Sequence, residues 1–264
     1  MNRSGKTGIR VSTNSQKGEF LESHSHYKHK TLLLMRYSRQ VMLPEIGEAG
    51  QAKLKEAKVL IVGVGGLGSP IALYLAGAGV GTIGLIDDDK VSISNLQRQI
   101  LYTEADIDRP KAVCAAEKLS SLNSEIRLHS YPTQLSIDNA LELIKNYDII
   151  VDGCDNFTTR YLMNDTCITL GKTYVYGAIC GFEGQVSVFN EGENRKSYRD
   201  LYPDEEEMKR MPSPFKGVVG ITPAVVGSIE ATEVLKLICG FGDTLSGKLW
   251  TIDLRTLQTN IFSL

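Results

Sequence analysis

Arg98, Lys111 and Asp155 are the side chains in this sequence best suited to do chemistry. Two cations and a carboxylate around one ligand suit a triphosphate. The cations neutralise charge as a phosphorus centre is attacked, and the acid can ligate Mg2+. For Asp155 and the adjacent Asn156 a plainer role, capping a helix N-terminus, stays open. Arg39 could add a third cation. It lies three residues after Arg36 on one helical face, which also fits two solvated surface arginines. Histidine contributes nothing evident. The last of the four, His129, lies on a strand where packing explains it, so a histidine acid/base of the kind hydride transfer often uses is missing.

Elements must bring these residues together, and the stretch Val59-Leu-Ile-Val-Gly-Val-Gly-Gly-Leu-Gly-Ser-Pro70 organises them. A short apolar run enters Gly63, Gly65 and Gly68, and a helical pattern follows. This reads as a buried strand turning sharply into a helix. Gly63 allows the turn, Gly65 lets a ligand approach the backbone, and Gly68 lets the helix pack on the strand. The helix N-terminus then favours phosphate. Alone, the glycine spacing fits a tight turn as well as a nucleotide site; the readable strand and helix around it favour the nucleotide. Asp87 ends a second buried strand, 19 residues after Gly68, where it can accept hydrogen bonds from ribose hydroxyls.

The remaining pattern predicts two short helical segments over 36–56 and a helix from Pro110 to about 122. A third strand is expected at 126–131, a helix at about 136–146 and a fourth strand ending at Asp155 and Asn156. A helix at about 157–171 and an antiparallel hairpin, 173–179 with 184–190, follow. Residues 191–217 read as a long polar loop, functional or mobile. A long helix with Thr222 as N-cap and two final strands over 247–262 complete the chain. The expected fold is α/β: a doubly wound, Rossmann-like, mainly parallel sheet with antiparallel strands added in the C-terminal part. Ligands of such sheets sit outside the carboxyl ends of the strands, which sends Asp87, Asp155 and the glycine turn to one crevice.

At 264 residues the chain can bury one large core, and its net charge of −2 offers no bulk attraction to nucleic acid or anionic lipid. No apolar run reaches the roughly 18 residues a membrane helix needs. Five scattered cysteines with no C-x-x-C pair argue against disulfides and zinc knuckles and fit a cytoplasmic protein. Residues 1–34, rich in Ser, Lys and His, read as a disordered extension to a single domain over 35–264. Met35 is expected to be the physiological start, the first 34 residues being a start-site artefact.

On spacing alone an NAD-dependent oxidoreductase is the first association of the glycine turn, and the surplus cations pull away from it. Five motifs in order, Arg36-Tyr-Ser-Arg-Gln40, Gly63-Val-Gly-Gly-Leu-Gly68, Ser94-Asn-Leu-Gln-Arg-Gln99, Arg109-Pro-Lys111 and Asp152-Gly-Cys-Asp-Asn156, resemble the ThiF/MoeB/HesA family. These are bacterial relatives of ubiquitin-activating enzymes. The resemblance covers residues 36–262. It implies adenylation of the C-terminal Gly-Gly carboxylate of a ubiquitin-like sulfur carrier protein, using ATP and Mg2+. It further implies that Gly66 lies in the phosphate turn, that Asp87 holds ribose, and that Asn95, Arg98 and Lys111 line the triphosphate, with Ser94 beside them. Asp155 would hold Mg2+ with Asn156 at the nucleotide. Arg39 would reach the neighbouring subunit's ATP in a homodimer.

Two departures from the family pattern stand out. Many members carry zinc on two C-x-x-C pairs; Ser197-Tyr-Arg-Asp200 stands where the first pair falls, so no zinc is expected. Many carry a loop cysteine where this chain has Ser213, a poor substitute for a thiolate. Cys180, at a strand end, reads as an ordinary buried thiol. Leu201-Tyr-Pro-Asp-Glu205 and Leu249-Trp-Thr-Ile-Asp-Leu-Arg255 look most like thiazole-pathway members, which gives a ThiS-type carrier in thiamine biosynthesis. A MoaD-type carrier in molybdopterin synthesis is the alternative.

Overall fold

A computed structural model describes residue 1 and residues 35–193, 195–210 and 217–264. The expected N-terminal extension, apart from Met1, and Ser213 lie outside the described residues. Nine α-helices lie wholly within the described residues. They are α1 Ser38–Val41, α2 Gly47–Glu56, α3 Gly68–Ala78, α4 Lys111–Leu122, α5 Ala140–Ile144, α6 Phe157–Leu170, α7 Tyr198–Leu201, α8 Glu205–Arg210 and α9 Ile221–Cys239. The strands are β1 Lys58–Val62, β2 Thr82–Ile86, β3 Arg127–Tyr131, β4 Ile149–Asp152, β5 Thr173–Cys180, β6 Glu183–Phe189, β7 Lys248–Asp253 and β8 Gln258–Ser263.

All eight strands form one sheet in the order β3-β2-β1-β4-β5-β6-β7-β8. The first five are parallel. From β5 onward the pairs are antiparallel. The expected doubly wound sheet with antiparallel C-terminal strands is therefore present. Strand order reverses between β1 and β4, and a crevice opens beyond their carboxyl ends.

Strand periodicity explains how the sheet is covered. Val59 and Ile61 of β1 point to one face, where they join Ile71 and Leu75 of α3, Cys114 and Leu119 of α4, and Val226 and Val234 of α9. Leu60 and Val62 point to the other, joining Tyr161 and Met163 of α6 with Tyr147, Tyr174, Tyr176 and Phe189. Both faces are buried, so β1 and β2 read as continuous apolar runs.

Four expectations change. β4 ends at Asp152, so Asp155 and Asn156 lie in the connection to α6 rather than on the strand. The 191–217 segment is not a plain loop: it carries α7 and α8. Tyr198 is fully buried within an aromatic cluster, 5.0 Å from Tyr161 and 5.3 Å from Tyr176 between ring centroids. Arg199 bridges Asp165 and Glu205, each at 2.7 Å. Turn residues dominate the segment's composition and hide these anchors. Ser197 and Asp200 close a reciprocal cap on α7. Thr222 is not an N-cap; Gly220 holds that position, and the Thr222 hydroxyl donates to the Gly181 carbonyl at 2.9 Å. Cys180 is exposed rather than buried. It ends β5 beside the two-residue turn at Gly181 and Phe182, beyond the reach of the core.

Candidate functional site

The crevice at the switch point begins with the glycine turn. Gly63 has φ +88°, which favours glycine, and a Cβ there would lie 2.5 Å from the Gly153 carbonyl. A Cβ on Gly68 would collide with the Gly63 carbonyl, so α3 can follow β1 only with glycine at that position. The turn is braced at two points. The Val64 N–H donates to Asp87 Oδ2 at 2.8 Å, and the Tyr102 hydroxyl donates to the Val64 carbonyl at 2.8 Å. Within the described residues the N–H groups of Gly65, Gly66 and Leu67 find no acceptor in the protein, and all three residues line the cavity. Unpaired donors at the start of a helix are suited to an anion.

Around the turn the cavity walls include Asp87, Asn95, Arg98, Lys111, Asp155 and Asn156, along with Asp88, Asp89 and Gln99. The structure thus brings most of the expected site residues into one space. Gly68 lies behind the wall as a packing position. Ser94 is not in the lining; it is exposed, and its hydroxyl lies 3.0 Å from that of Ser92. Arg39 is exposed on α1 and also outside the lining of this chain's cavity.

Each polar side chain is held in a particular way. Asp87 is buried, and its carboxylate accepts from Val64 N–H and from Asp89 N–H at 2.9 Å. Burial pushes its pKa above the ordinary value, against the pull of Lys111 and these two hydrogen bonds. The acid read as a ribose ligand is therefore also the brace of the glycine turn. Asn95 accepts from Ser92 N–H at 3.1 Å, and Arg98 donates to the Ser94 carbonyl at 3.0 Å. Lys111 pairs with Asp89 at 2.7 Å. Asn156 caps α6, accepting from Thr159 N–H at 2.9 Å. The open alternative for these two residues thus resolves to Asn156 as the cap, which leaves the neighbouring Asp155 carboxylate without a protein partner among the described residues.

Sequence reasoning missed several neighbours. Tyr102 and Asp89 stand close to the recognised motifs, but no pattern marked them; Gln99 ends one of those motifs, yet no role was read for it. Gln99 is buried with its Oε1 unpartnered, and it packs beside Gly65. Arg160 also reaches the cavity wall, although Asp152 holds its guanidinium at 2.9 Å. Cys180 lies in the lining too.

Fold and cavity together define a Rossmann-like α/β protein with a polar, mixed-charge crevice at its switch point. The ThiF family model matches residues 37–264, and the chain belongs to that family. Among curated relatives, it is 48% identical over 225 residues to a sulfur carrier protein adenylyltransferase of Thermus thermophilus, covering 83% of each chain. It is 49% identical over 225 residues to a probable adenylyltransferase/sulfurtransferase MoeZ of Mycobacterium tuberculosis. That match covers 83% of this chain but only 57% of MoeZ. Among solved structures, E. coli MccB with ATP aligns with a TM-score of 0.72 and 26% identity, over 81% of this chain and 65% of MccB. No helix among the described residues is long and apolar enough to cross a membrane.

Proposed function

We propose that this chain is an ATP-dependent adenylyltransferase that activates the C-terminal carboxylate of a ubiquitin-like sulfur carrier protein and releases pyrophosphate. One observation carries the reading: a single crevice gathers unpaired N–H groups of the glycine turn with Arg98, Lys111 and Asp155. The names of the Thermus and Mycobacterium relatives support the reaction, and the ATP complex of MccB supports the nucleotide.

The chemistry suits these residues. A carrier carboxylate oxygen bonds to the α-phosphorus as the bond from that phosphorus to the bridging oxygen of pyrophosphate breaks. The carboxylate is already ionised at neutral pH, so no protein base is required. Positioning and charge neutralisation remain, and the turn's N–H groups, Asn95, Arg98 and Lys111 can supply them. Asp87 retains lone pairs for ribose hydroxyls.

Charge in the cavity supports two further partners. Its lining holds the acids Asp87, Asp88, Asp89 and Asp155 against Arg98, Lys111 and Arg160. Two of those cations are already paired, Lys111 with Asp89 and Arg160 with Asp152. A triphosphate therefore needs positive charge from elsewhere. Mg2+ arriving with the nucleotide fits, because it characteristically takes one or two carboxylates and keeps phosphates and waters as its other ligands. The unpartnered Asp155 would hold it. Among the described residues no group of three or more acids, histidines or cysteines forms a closed metal cage. Arg39, exposed and outside its own cavity, would serve the nucleotide of a second copy in a homodimer.

For the carrier, similarity of Leu201–Glu205 and Leu249–Arg255 to thiazole-pathway members favours a ThiS-type protein. The MoeZ relative and a probable molybdopterin-synthase adenylyltransferase of Porphyra purpurea, 43% identical over 231 residues, favour a MoaD-type one. The test is exchange of labelled pyrophosphate into ATP with each purified carrier. Exchange with one carrier, lost in Arg98→Ala and Asp155→Ala, is expected. Exchange with neither carrier, or binding of NAD without ATP, would overturn the reading.

A further inference from the structure

Lys111 is buried, with its side chain only 5% exposed, and it opens α4. A cation there is opposed by the positive end of the helix dipole and has little water to solvate it. It depends on counter-charge: Asp89 is its ion-pair partner among the described residues, at 2.7 Å, and the buried Asp87 carboxylate also attracts it without an ion-pair contact. The two residues are also tied through the backbone. Lys111 N–H donates to the Asp89 carbonyl at 2.9 Å, and Asp89 N–H donates to Asp87 Oδ1 at 2.9 Å. Asp89 itself is 70% exposed on its side chain. The pair is therefore asymmetric: water can solvate the carboxylate if it lets go, whereas the ammonium has no such alternative.

We propose that Asp89 is a resident stand-in for the nucleotide's phosphate, neutralising Lys111 until ATP arrives and competing with the triphosphate for that ammonium. The proposal rests on the adenylylating reading above. It makes Asp89 a positioning residue that keeps a buried lysine aimed while limiting how tightly ATP, and the pyrophosphate that leaves, can be held.

The experiment is thermal melting and ATP titration of the full chain and its Asp89→Asn variant, in EDTA and again with Mg2+. The variant should melt lower without nucleotide, because Lys111 loses its ion-pair partner, and nearly normally with ATP. Its ATP-induced shift should grow. Its Kd for ATP should tighten about two- to fivefold, the worth of a partly screened charge pair, with or without Mg2+. Asp89→Glu should restore the nucleotide-free melting point, and Asp89→Asn should change nothing for ATP in a Lys111→Met background. Equal loss of melting temperature with and without ATP would mean a purely structural residue and overturn the proposal. Weaker binding confined to Mg2+ would mean a metal ligand and overturn it as well. If the unaltered chain shows no ATP-dependent shift, the adenylylating reading falls together with this one. A normal shift in the unaltered chain with an unchanged shift in Asp89→Asn overturns this proposal alone.

Discussion

Arg98 and Arg160 line the same cavity, yet their charge is committed differently. Arg160, on α6, is buried and donates to Asp152 at 2.9 Å, to the Cys154 carbonyl at 2.9 Å and to the Gly177 carbonyl at 3.2 Å. Asp152 is fully buried and also accepts from the Tyr174 hydroxyl at 2.9 Å. That cluster ties β4, β5 and α6 together beneath the crevice. Arg98 is half-buried, makes one bond to a backbone carbonyl, and has no carboxylate partner among the described residues. Lining a cavity thus does not make a cation available: one arginine is spent on holding the wall, the other can meet a ligand.

The largest effect expected from breaking this contrast is on stability. Arg160→Ala would leave the Asp152 carboxylate buried without its cation, at a cost of about 3–5 kcal/mol, and denaturant unfolding would show it. Arg98→Ala should leave unfolding within about 0.5 kcal/mol of the unaltered chain. It should instead slow pyrophosphate exchange by roughly 10²–10³-fold, about 2.7–4 kcal/mol. Finding these two outcomes exchanged would break the comparison.

Glu230 sharpens it further. This residue of α9 is fully buried against Gly177, and neither of its oxygens has a hydrogen-bond partner among the described residues. Burial pushes its pKa well above the ordinary 4.5; nearby Asp152 adds to the rise and Arg160 opposes it. Below about pH 4.5 the carboxyl is protonated in both folded and unfolded chains and has no pH-dependent effect. Above that, the unfolded chain releases a proton that the folded chain keeps. Stability therefore falls as pH rises, by about 1.4 kcal/mol per pH unit, until the folded carboxyl itself ionises. Glu230→Gln should remove this slope and gain over the unaltered chain between pH 5 and 8 in denaturant titrations. Parallel curves for the two proteins would show that Glu230 keeps its charge.

The smallest effect concerns access. Cys180 is exposed in the cavity lining while Cys114, Cys154, Cys167 and Cys239 are buried. An alkylating reagent should modify Cys180 alone in the native protein, and saturating ATP should slow it about twofold or more. Mass spectrometry of the labelled peptides checks both statements, and labelling indifferent to ATP would separate Cys180 from the nucleotide space.

Much of the sheet was legible because its signals are local. An apolar run, a glycine turn and a helical period occupy consecutive residues, so β1, α3 and β2 lie within a residue or two of where the pattern put them. The same holds for most of the site: Arg98, Lys111, Asp87 and Asp155 stand at element ends, and a parallel sheet collects such ends on one side. Less legible was the 191–217 segment, whose helices rest on Tyr198 and Arg199 reaching residues about 34 positions away. Thr222 likewise carries a cap signature but spends its hydroxyl on Gly181.

What the sequence by itself determined was the doubly wound domain, its phosphate turn and the inventory of charges around it, since backbone propensity and periodicity are properties of neighbours along the chain. Only the tertiary structure decided how those charges are used. It pairs Lys111 with Asp89, turns Asp87 into the brace of Val64, consumes Arg160 on Asp152 and, among the described residues, leaves Arg98 and Asp155 without a charged partner. Pairing and desolvation depend on residues brought together from distant parts of the chain, and charge in a site is worth only what its surroundings leave unspent.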